Sequence, residues 1–295
     1  MGEKDPGQSM QAAVREAPLD IPVKTSPRNA DDGVARGVPN PVAPPPSAVF
    51  DSQPGAAGPH AGPPAHVPLS RIQRLIGERM LSSKHSKPCF YLEARADVTE
   101  LMAMRHDLSK KLGVKVTSNA FFIRAMALAA AQHPLIVGRF VQLEPRDSMP
   151  TEVIRIADHV NVGFAVSSPQ GLVVPVIQQA EIKTLAEIAG QEKLLINKAR
   201  GNTLTLEDME GETIALSNLG AYDIDSFLGI VPPPVSAILT AGKVAMTPVP
   251  SNGHVIVRKM VSLSLAADHS VVDSEYAARF LQSLTQRLED PERLV

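Results

Sequence analysis

The chain has 295 residues and a nearly balanced charge: its formal net charge is −2, and aromatic residues make up only 4% of it. Nucleic-acid surfaces need a basic stripe and stacking rings, so this composition argues against a nucleic-acid-binding protein. One cysteine excludes an internal disulfide framework and is typical of a reducing compartment. The N-terminus lacks the apolar stretch of a signal peptide and no apolar run could span a bilayer, so we expect a soluble cytoplasmic protein.

The first 66 residues differ in composition from the rest. Ten prolines lie between Pro39 and Pro68, mixed with Gly, Ala and Ser. Such a segment cannot bury enough apolar surface to offset the entropy lost on ordering. We therefore predict a disordered linker over residues 1–66 and one α/β domain over residues 67–295.

Five segments of this domain carry helical signals. Three begin with a polar cap followed three residues later by Glu or Gln: Ser70 with Gln73, Asp97 with Glu100, and Thr184 with Glu187. Gly113 is placed to end the second of these helices, and Gly201 the third. Residues 119–132 are apolar on nearly all sides, which predicts a buried helix, and a last helix is expected over about 274–288.

Strand signals gather in the second half of the chain. The β-branched runs 153–166 and 171–177 flank a Ser-Pro-Gln-Gly turn and predict a long hairpin. Further strands are expected over 213–217, 235–244 and 254–267, the last two joined by a loop that contains the favoured turn Asn252-Gly253. The pattern predicts a two-layer α/β sandwich with a mixed sheet, although strand order cannot be read from it.

Two polar side chains lie at predicted strand ends. His269 follows the last strand and precedes Asp273 by four residues. Taken alone, a satisfied core histidine is the commoner explanation of such a pair. Ser217 is followed by Asn-Leu-Gly, and an ordinary turn is enough to explain these residues. The functional alternative is that the Ser217 hydroxyl donates a hydrogen bond to an oxyanion. The chain has no glycine-rich phosphate loop and no Cys/His spacing suited to a metal.

Seven segments in order carry a resemblance to a known family: LSRIQRLIGERMLSSK, KPCFYLEARADVTEL, LGVKVTSNAFFIRAMALA, NVGFAVSSPQGLVVPVI, KTLAEIA, IALSNLG with PPPVSAIL, and LSLAADHSVVDS. From about Val67 to the C-terminus the chain resembles the catalytic domain of the dihydrolipoamide acyltransferases of 2-oxo acid dehydrogenase complexes. That family shares its fold with chloramphenicol acetyltransferase, so the resemblance implies a chloramphenicol acetyltransferase-like sandwich.

The resemblance also implies a reaction and its residues. The reaction is acyl transfer between dihydrolipoamide and coenzyme A, with His269 as general base and Ser217 as hydrogen-bond donor to the tetrahedral oxyanion. The carboxylate of Asp273 is expected to pair with an arginine and to fix the histidine loop; Arg79 is the candidate and Arg74 its rival. Family members are trimers, with His269 and Ser217 expected from neighbouring subunits.

The chain departs from the family motif His-Arg-x-x-Asp-Gly at two positions, Ser270 and Ser274. If the family glycine occupies a positive-φ turn, serine at position 274 costs about 1 kcal/mol. Cys89 stands where the family often has histidine, and a small buried thiol is the expected explanation. Whether such a loop holds His269 in a working position is therefore open.

A larger departure lies upstream, since nothing in residues 1–66 resembles a lipoyl domain, its attachment lysine, or a subunit-binding domain. We expect the lipoyl group to arrive on another protein, with 2-oxo acid dehydrogenase subunits as further partners and no membrane. Two alternatives remain: a trimeric scaffold with weak or no catalysis, and an acyl-CoA-dependent transferase that acts on a small acceptor.

Overall fold

The computed structural model describes residues 66–144, 151–169 and 171–295. The linker predicted over residues 1–66 lies outside the described residues except for His66. Residues His66–Val295 form one compact unit.

Helices form at all five predicted places, and two of the three predicted capping boxes are present. The five helices are α1 (Arg71–Ser86), α2 (Thr99–Leu112), α3 (Ser118–Gln132), α4 (Leu185–Arg200) and α5 (Ser274–Glu289). Complete capping boxes at Ser70 and Thr184 confirm two of the predicted starts. The third start was wrong by one residue: Val98 is the N-cap of α2, and Asp97 instead accepts from the Thr99 amide at 2.9 Å.

Six strands form one mixed sheet in the order β1-β10-β9-β8-β4-β7. They are β1 (Cys89–Asp97), β4 (Val162–Phe164), β7 (Val176–Ile177), β8 (Ile214–Asn218), β9 (Ala237–Ser251) and β10 (His254–Asp268). Strand β8 is parallel to β4 and β9, and the other pairs are antiparallel. The predicted β9–β10 hairpin is confirmed, with Asn252 and Gly253 both at positive φ.

Two short hairpins complete the strands: β2 (Arg139–Gln142) with β3 (Glu152–Arg155), and β5 (Val166–Ser168) with β6 (Gly171–Val173). The long hairpin predicted over 153–177 is therefore only partly correct. Its inner part forms β5–β6 and β4–β7, but residues 153–155 pair with β2, because the chain leaves the extended conformation between 156 and 161. The turn residue Gln170 lies outside the described residues.

The apolar core lies between the helices and one face of the sheet. Its largest buried side chains are Phe121 and Phe122 of α3, Phe164 of β4 and Phe280 of α5. The buried helix predicted over 119–132 is thus confirmed. Residues Leu216, Leu239 and Leu265 point into this core from three adjacent strands. Since strand side chains alternate between faces, Ser217 and the residues level with it point to the opposite face.

Helix α1 packs on the rest of the chain through polar groups. Ser83 is its one buried residue, and its hydroxyl donates to the carbonyl of Val231 at 2.5 Å. Apolar side chains of the same helix remain exposed: Ile72, Leu75, Ile76 and Leu81. In this single chain α1 therefore presents an uncovered apolar surface. Within the described ranges, none of the helices is both long and apolar enough to cross a bilayer.

Candidate functional site

Ser217 lies near the end of β8, where the strand turns away from the sheet. The side-chain oxygen of Asn218 accepts from the Gly220 amide at 2.9 Å and so closes the turn. Thr240 of β9 lies directly opposite Ser217 in the parallel register of β8 and β9. The Ser217 hydroxyl makes no hydrogen bond with another described residue, so it is available as a donor.

A groove of about 1010 Å³ opens over Ser217. Its wall is partly apolar, with Phe122, Phe164, Leu172 and Ile196, and it carries three cations: Arg105, Arg200 and Lys243. Lys243 is paired with two aspartates at 2.9 and 3.2 Å, whereas the two arginines form no ion pair with a described residue. Exposed guanidinium groups beside an apolar channel suit a ligand that combines phosphates with a less polar chain.

A buried carboxylate supports the floor of this groove. Glu192 of α4 accepts from the Thr117 hydroxyl at 2.7 Å and from the side-chain amide of Asn119 at 3.1 Å, at the start of α3. Burial raises the pKa of the Glu192 carboxyl, and these two hydrogen bonds partly oppose the shift. The network joins α3 to α4 beside Asn119, which lines the groove.

His269 immediately follows β10 and is exposed in the single chain. Its amide donates to the carbonyl of Pro88 at 3.1 Å, and its ring meets Phe90 edge-on with centroids 5.3 Å apart. The imidazole is thus held at the end of a buried strand while its face remains open. A histidine in this position can exchange a proton with a ligand that approaches from outside the chain.

Asp273 caps the helix that follows the histidine loop. Its carboxylate accepts from the Tyr276 amide at 2.7 Å at the start of α5. Arg79 instead donates to the carbonyl of Pro233 and lies 3.5 Å from Glu212. The described chain therefore does not form the predicted Arg79–Asp273 pair, because each group is used elsewhere; the rival Arg74 also forms no ion pair with a described residue.

The two serines of the altered motif cause no backbone strain. Ser274 is the first residue of α5, and neither serine is among the described residues with positive φ. The cost expected for serine at position 274 therefore does not arise. The Ser270 amide donates to the carboxylate of Asp268 at 2.9 Å, so the loop has its own internal hydrogen bond.

Ser217 and His269 lie far apart in the single chain. Ser217 is level with Thr240, and Thr240 with Ser264, which places β10 two strands from β8. His269 lies five residues beyond Ser264, directly after the end of that strand. At typical sheet spacings this separates them by roughly 10 Å across and 17 Å along the strands. One reacting carbonyl cannot contact both side chains of the same chain.

Sequence reasoning missed the ion pair beneath His269. The side chains of Lys87 and Asp268 are nearly buried, and their charged atoms are 3.6 Å apart. The acid was visible because it directly precedes His269, but nothing near it in sequence indicated the lysine. No sequence motif indicated the two arginines of the groove either. Among the described residues, no cluster of His, Cys, Asp or Glu could hold a metal ion.

Comparison with known proteins agrees with this architecture. Residues 61–295 match the family described as 2-oxoacid dehydrogenases acyltransferase (catalytic domain). A dihydrolipoyllysine-residue acetyltransferase component of the pyruvate dehydrogenase complex from Rickettsia bellii is 33% identical over 229 residues, 76% of this chain and 53% of that protein. The chain thus spans about half the length of this curated relative.

Two solved structures are similar over most of their length. The dihydrolipoamide acetyltransferase of Azotobacter vinelandii, solved to study a serine, a histidine and an asparagine in its mechanism, is 31% identical with a TM-score of 0.72. The match covers 79% of this chain and 94% of the Azotobacter chain. The cubic core of a pyruvate dehydrogenase multienzyme complex is 30% identical, also with a TM-score of 0.72, and covers 86% and 99%. The chain belongs to the family of 2-oxoacid dehydrogenase acyltransferases, and residues 61–295 correspond to the catalytic domain of that family.

Proposed function

We propose that the chain transfers an acyl group between coenzyme A and the thiol of dihydrolipoamide carried by another protein. The observation that carries the proposal is the open hydroxyl of Ser217 under a groove with two arginines, Arg105 and Arg200, that form no ion pair within the described part of the chain. The arginines suit the phosphates of coenzyme A, and the apolar wall suits its extended arm. Family membership provides the reaction class.

His269 acts as the general base in this proposal. Its imidazole removes the proton from the attacking thiol, and the sulfur adds to the thioester carbonyl. The tetrahedral oxyanion accepts a hydrogen bond from the Ser217 hydroxyl. When the intermediate collapses, the departing thiolate takes the proton back from the imidazolium, so no proton is gained or lost and no bond to the protein is formed.

A site shared between two copies of the chain follows from the same geometry. Ser217 and His269 are too far apart within one chain, and His269 is exposed. We propose a homotrimer or a larger trimer-based assembly in which Ser217 of one copy faces His269 of the next. The uncovered apolar side chains of α1, among them Leu75 at 53% exposure, are available to such an interface. The similarity to a cubic core supports the same arrangement.

The first test is an acyl-transfer assay. Acetyl-, succinyl- and branched-chain acyl-CoA are offered with free dihydrolipoamide to the wild type and to His269→Ala. We expect the wild type to react with at least one pair and the variant to lose at least about a hundredfold in kcat. His106→Ala removes an exposed histidine of α2 and is the matched control, expected to keep wild-type activity.

Ser217→Ala measures the oxyanion contribution in the same assay. Loss of the donor is expected to lower kcat on the order of a hundredfold, while Ser217→Thr keeps a hydroxyl and loses less. If the wild type is no faster than His269→Ala with every acyl-CoA, catalysis is rejected and the scaffold alternative stands. Transfer to a small acceptor but not to dihydrolipoamide would favour the other alternative.

A further inference from the structure

The loop that presents His269 is organised by the residue before it. The Asp268 carboxylate accepts from the Ser270 amide at 2.9 Å, and its backbone carbonyl accepts from Val271 and Val272 at 3.0 and 3.1 Å. Asp268 therefore sets the path of the chain on the far side of His269. Any displacement of this carboxylate moves the whole loop, and the imidazole with it.

Lys87 fastens this carboxylate to two other segments. Its ammonium group lies 3.6 Å from Asp268 and donates to the Val235 carbonyl at 2.7 Å, while the Asp268 amide donates to Ser236 at 2.8 Å. The side chains of Lys87 and Asp268 are only 13% and 5% exposed. Since a nearly buried carboxylate is costly without a partner, the lysine strongly favours this one position of Asp268.

Among the residues that the structure describes, Lys87 is the one cation that forms an ion pair with Asp268. Lys84, one turn earlier, donates to the Tyr91 hydroxyl at 2.9 Å. Cys89 is level with Asp268 across β1 and β10, and burial, followed by Asp268, raises the pKa of its thiol. A thiol is neutral when protonated and negative when ionised, so Cys89 cannot offset the charge of Asp268.

We propose that Lys87 is a positioning residue for His269, acting through its ion pair with Asp268. The inference rests on the proposed role of His269 as the base. Lys87 does not touch the reacting atoms; it joins the end of α1, the 235–236 segment and the histidine loop into one rigid unit. This ion pair would hold the histidine loop in place even though the motif has Ser270 and Ser274 in place of arginine and glycine.

Kinetics of three variants test the functional part. Lys87→Met should lower kcat by about a hundredfold and change KM less than twofold, because a base displaced by an ångström reacts poorly while the groove over Ser217 is unaffected. Lys87→Arg keeps the charge and should recover most of the lost kcat. Lys84→Met removes the lysine in the last turn of α1, three residues before Lys87, and should leave kcat unchanged.

Hydrogen exchange tests the positioning without relying on activity. In Lys87→Met, the amides of residues 270–272 should exchange about tenfold faster than in the wild type, and in Lys84→Met at the wild-type rate. The double variant Lys87→Met with Asp268→Asn removes both charges. It should fold at least as well as Lys87→Met, and its 270–272 amides should exchange more slowly than those of Lys87→Met. A slower exchange in the double variant would show that the effect of Lys87→Met comes from the uncompensated charge of Asp268 and not from a general loss of folding.

The outcomes separate this inference from the proposed function. Faster exchange in Lys87→Met supports the positioning role even if the wild type transfers no acyl group, in which case only the proposed function fails. Unchanged exchange and unchanged kcat in Lys87→Met overturn the positioning role while leaving an active wild type intact. A raised KM with unchanged kcat also overturns it, because the lysine would then act on substrate binding.

Discussion

At the scale of single residues, environment decides what each carboxylate does. Asp268 is nearly buried and paired with Lys87, Asp273 caps α5, and Glu192 is buried among hydrogen-bond donors. The family resemblance assigned Asp273 to the histidine loop, and the lysine partner of Asp268 was not predicted, although both acids lie within four residues of His269. The difference arises from burial, since an acid inside the protein needs a charged or hydrogen-bonding partner and an exposed cap does not.

Two glutamates of α4 should respond to pH in opposite directions. Burial raises the pKa of Glu192 in the folded chain, so its ionisation is more costly there than in the unfolded chain. The stability that Glu192 gives relative to Gln is therefore complete below its unfolded pKa and is lost as pH rises through the folded pKa. Compared with Glu192→Gln, the wild-type Tm should fall as pH rises from 4 to 8.

Glu187 provides the matched control. The hydrogen bond from the Thr184 amide lowers the pKa of Glu187, so its stabilisation is present above the unfolded pKa and is lost as pH falls. Compared with Glu187→Gln, the wild-type Tm should rise over the same pH interval. Thermal unfolding of the three proteins at several pH values measures both slopes. A Glu192→Gln difference that stays constant from pH 4 to 8 contradicts the prediction.

At the scale of elements, close backbone approach shapes the groove. Gly242 on β9 lies against the carbonyl of Asp225, where an added Cβ would come within 1.9 Å of the oxygen. The neighbouring Lys243 amide donates to the Ile224 carbonyl at 2.7 Å and holds the two segments together. Because backbone cannot yield as a flexible side chain can, only glycine fits at this position.

Gly242→Ala should therefore destabilise the protein by about 1–3 kcal/mol and disturb the groove. Gly190→Ala is the matched control: Gly190 lies within α4 with no atom near the added methyl group, and alanine there should stabilise by about 0.5–1 kcal/mol. Thermal unfolding compares the two variants. A Tm for Gly242→Ala equal to that of the wild type would mean that the 224–225 segment moves aside at no cost.

At the scale of the whole molecule, the proposed trimer gives each copy of the chain one half of two different sites. Mixed assemblies of Ser217→Ala and His269→Ala should therefore regain activity that neither variant has alone. Every mixed trimer, whichever variant it holds two copies of, has one interface of three that combines an intact serine with an intact histidine, so about a third of wild-type activity is expected of the purified mixed trimers.

The two variants are co-expressed with different affinity tags, and doubly tagged assemblies are purified and assayed. Ser217→Ala co-expressed with a doubly substituted Ser217→Ala and His269→Ala chain is the control and should stay inactive. Activity at the level of the single variants in the mixed assemblies would contradict a site shared between copies. A mass of one chain in solution would contradict it independently.

The sequence by itself determined the local structure. Caps at Ser70 and Thr184, the Asn252-Gly253 turn and the burial of α3 depend on residues within a few positions of one another, and all were predicted correctly. The family resemblance also rested on short ordered segments. The start of α2 was missed by one residue because Asp97 bonds to Thr99 in an alternative local turn.

Only the tertiary structure decided how distant segments meet. It placed β8 in parallel between β4 and β9, separated Ser217 from His269, and directed Arg79 away from Asp273. It also brought Lys87 to Asp268 from the other end of the domain. Strand order and buried ion pairs depend on which surfaces pack together over the whole chain, and local patterns do not encode that choice.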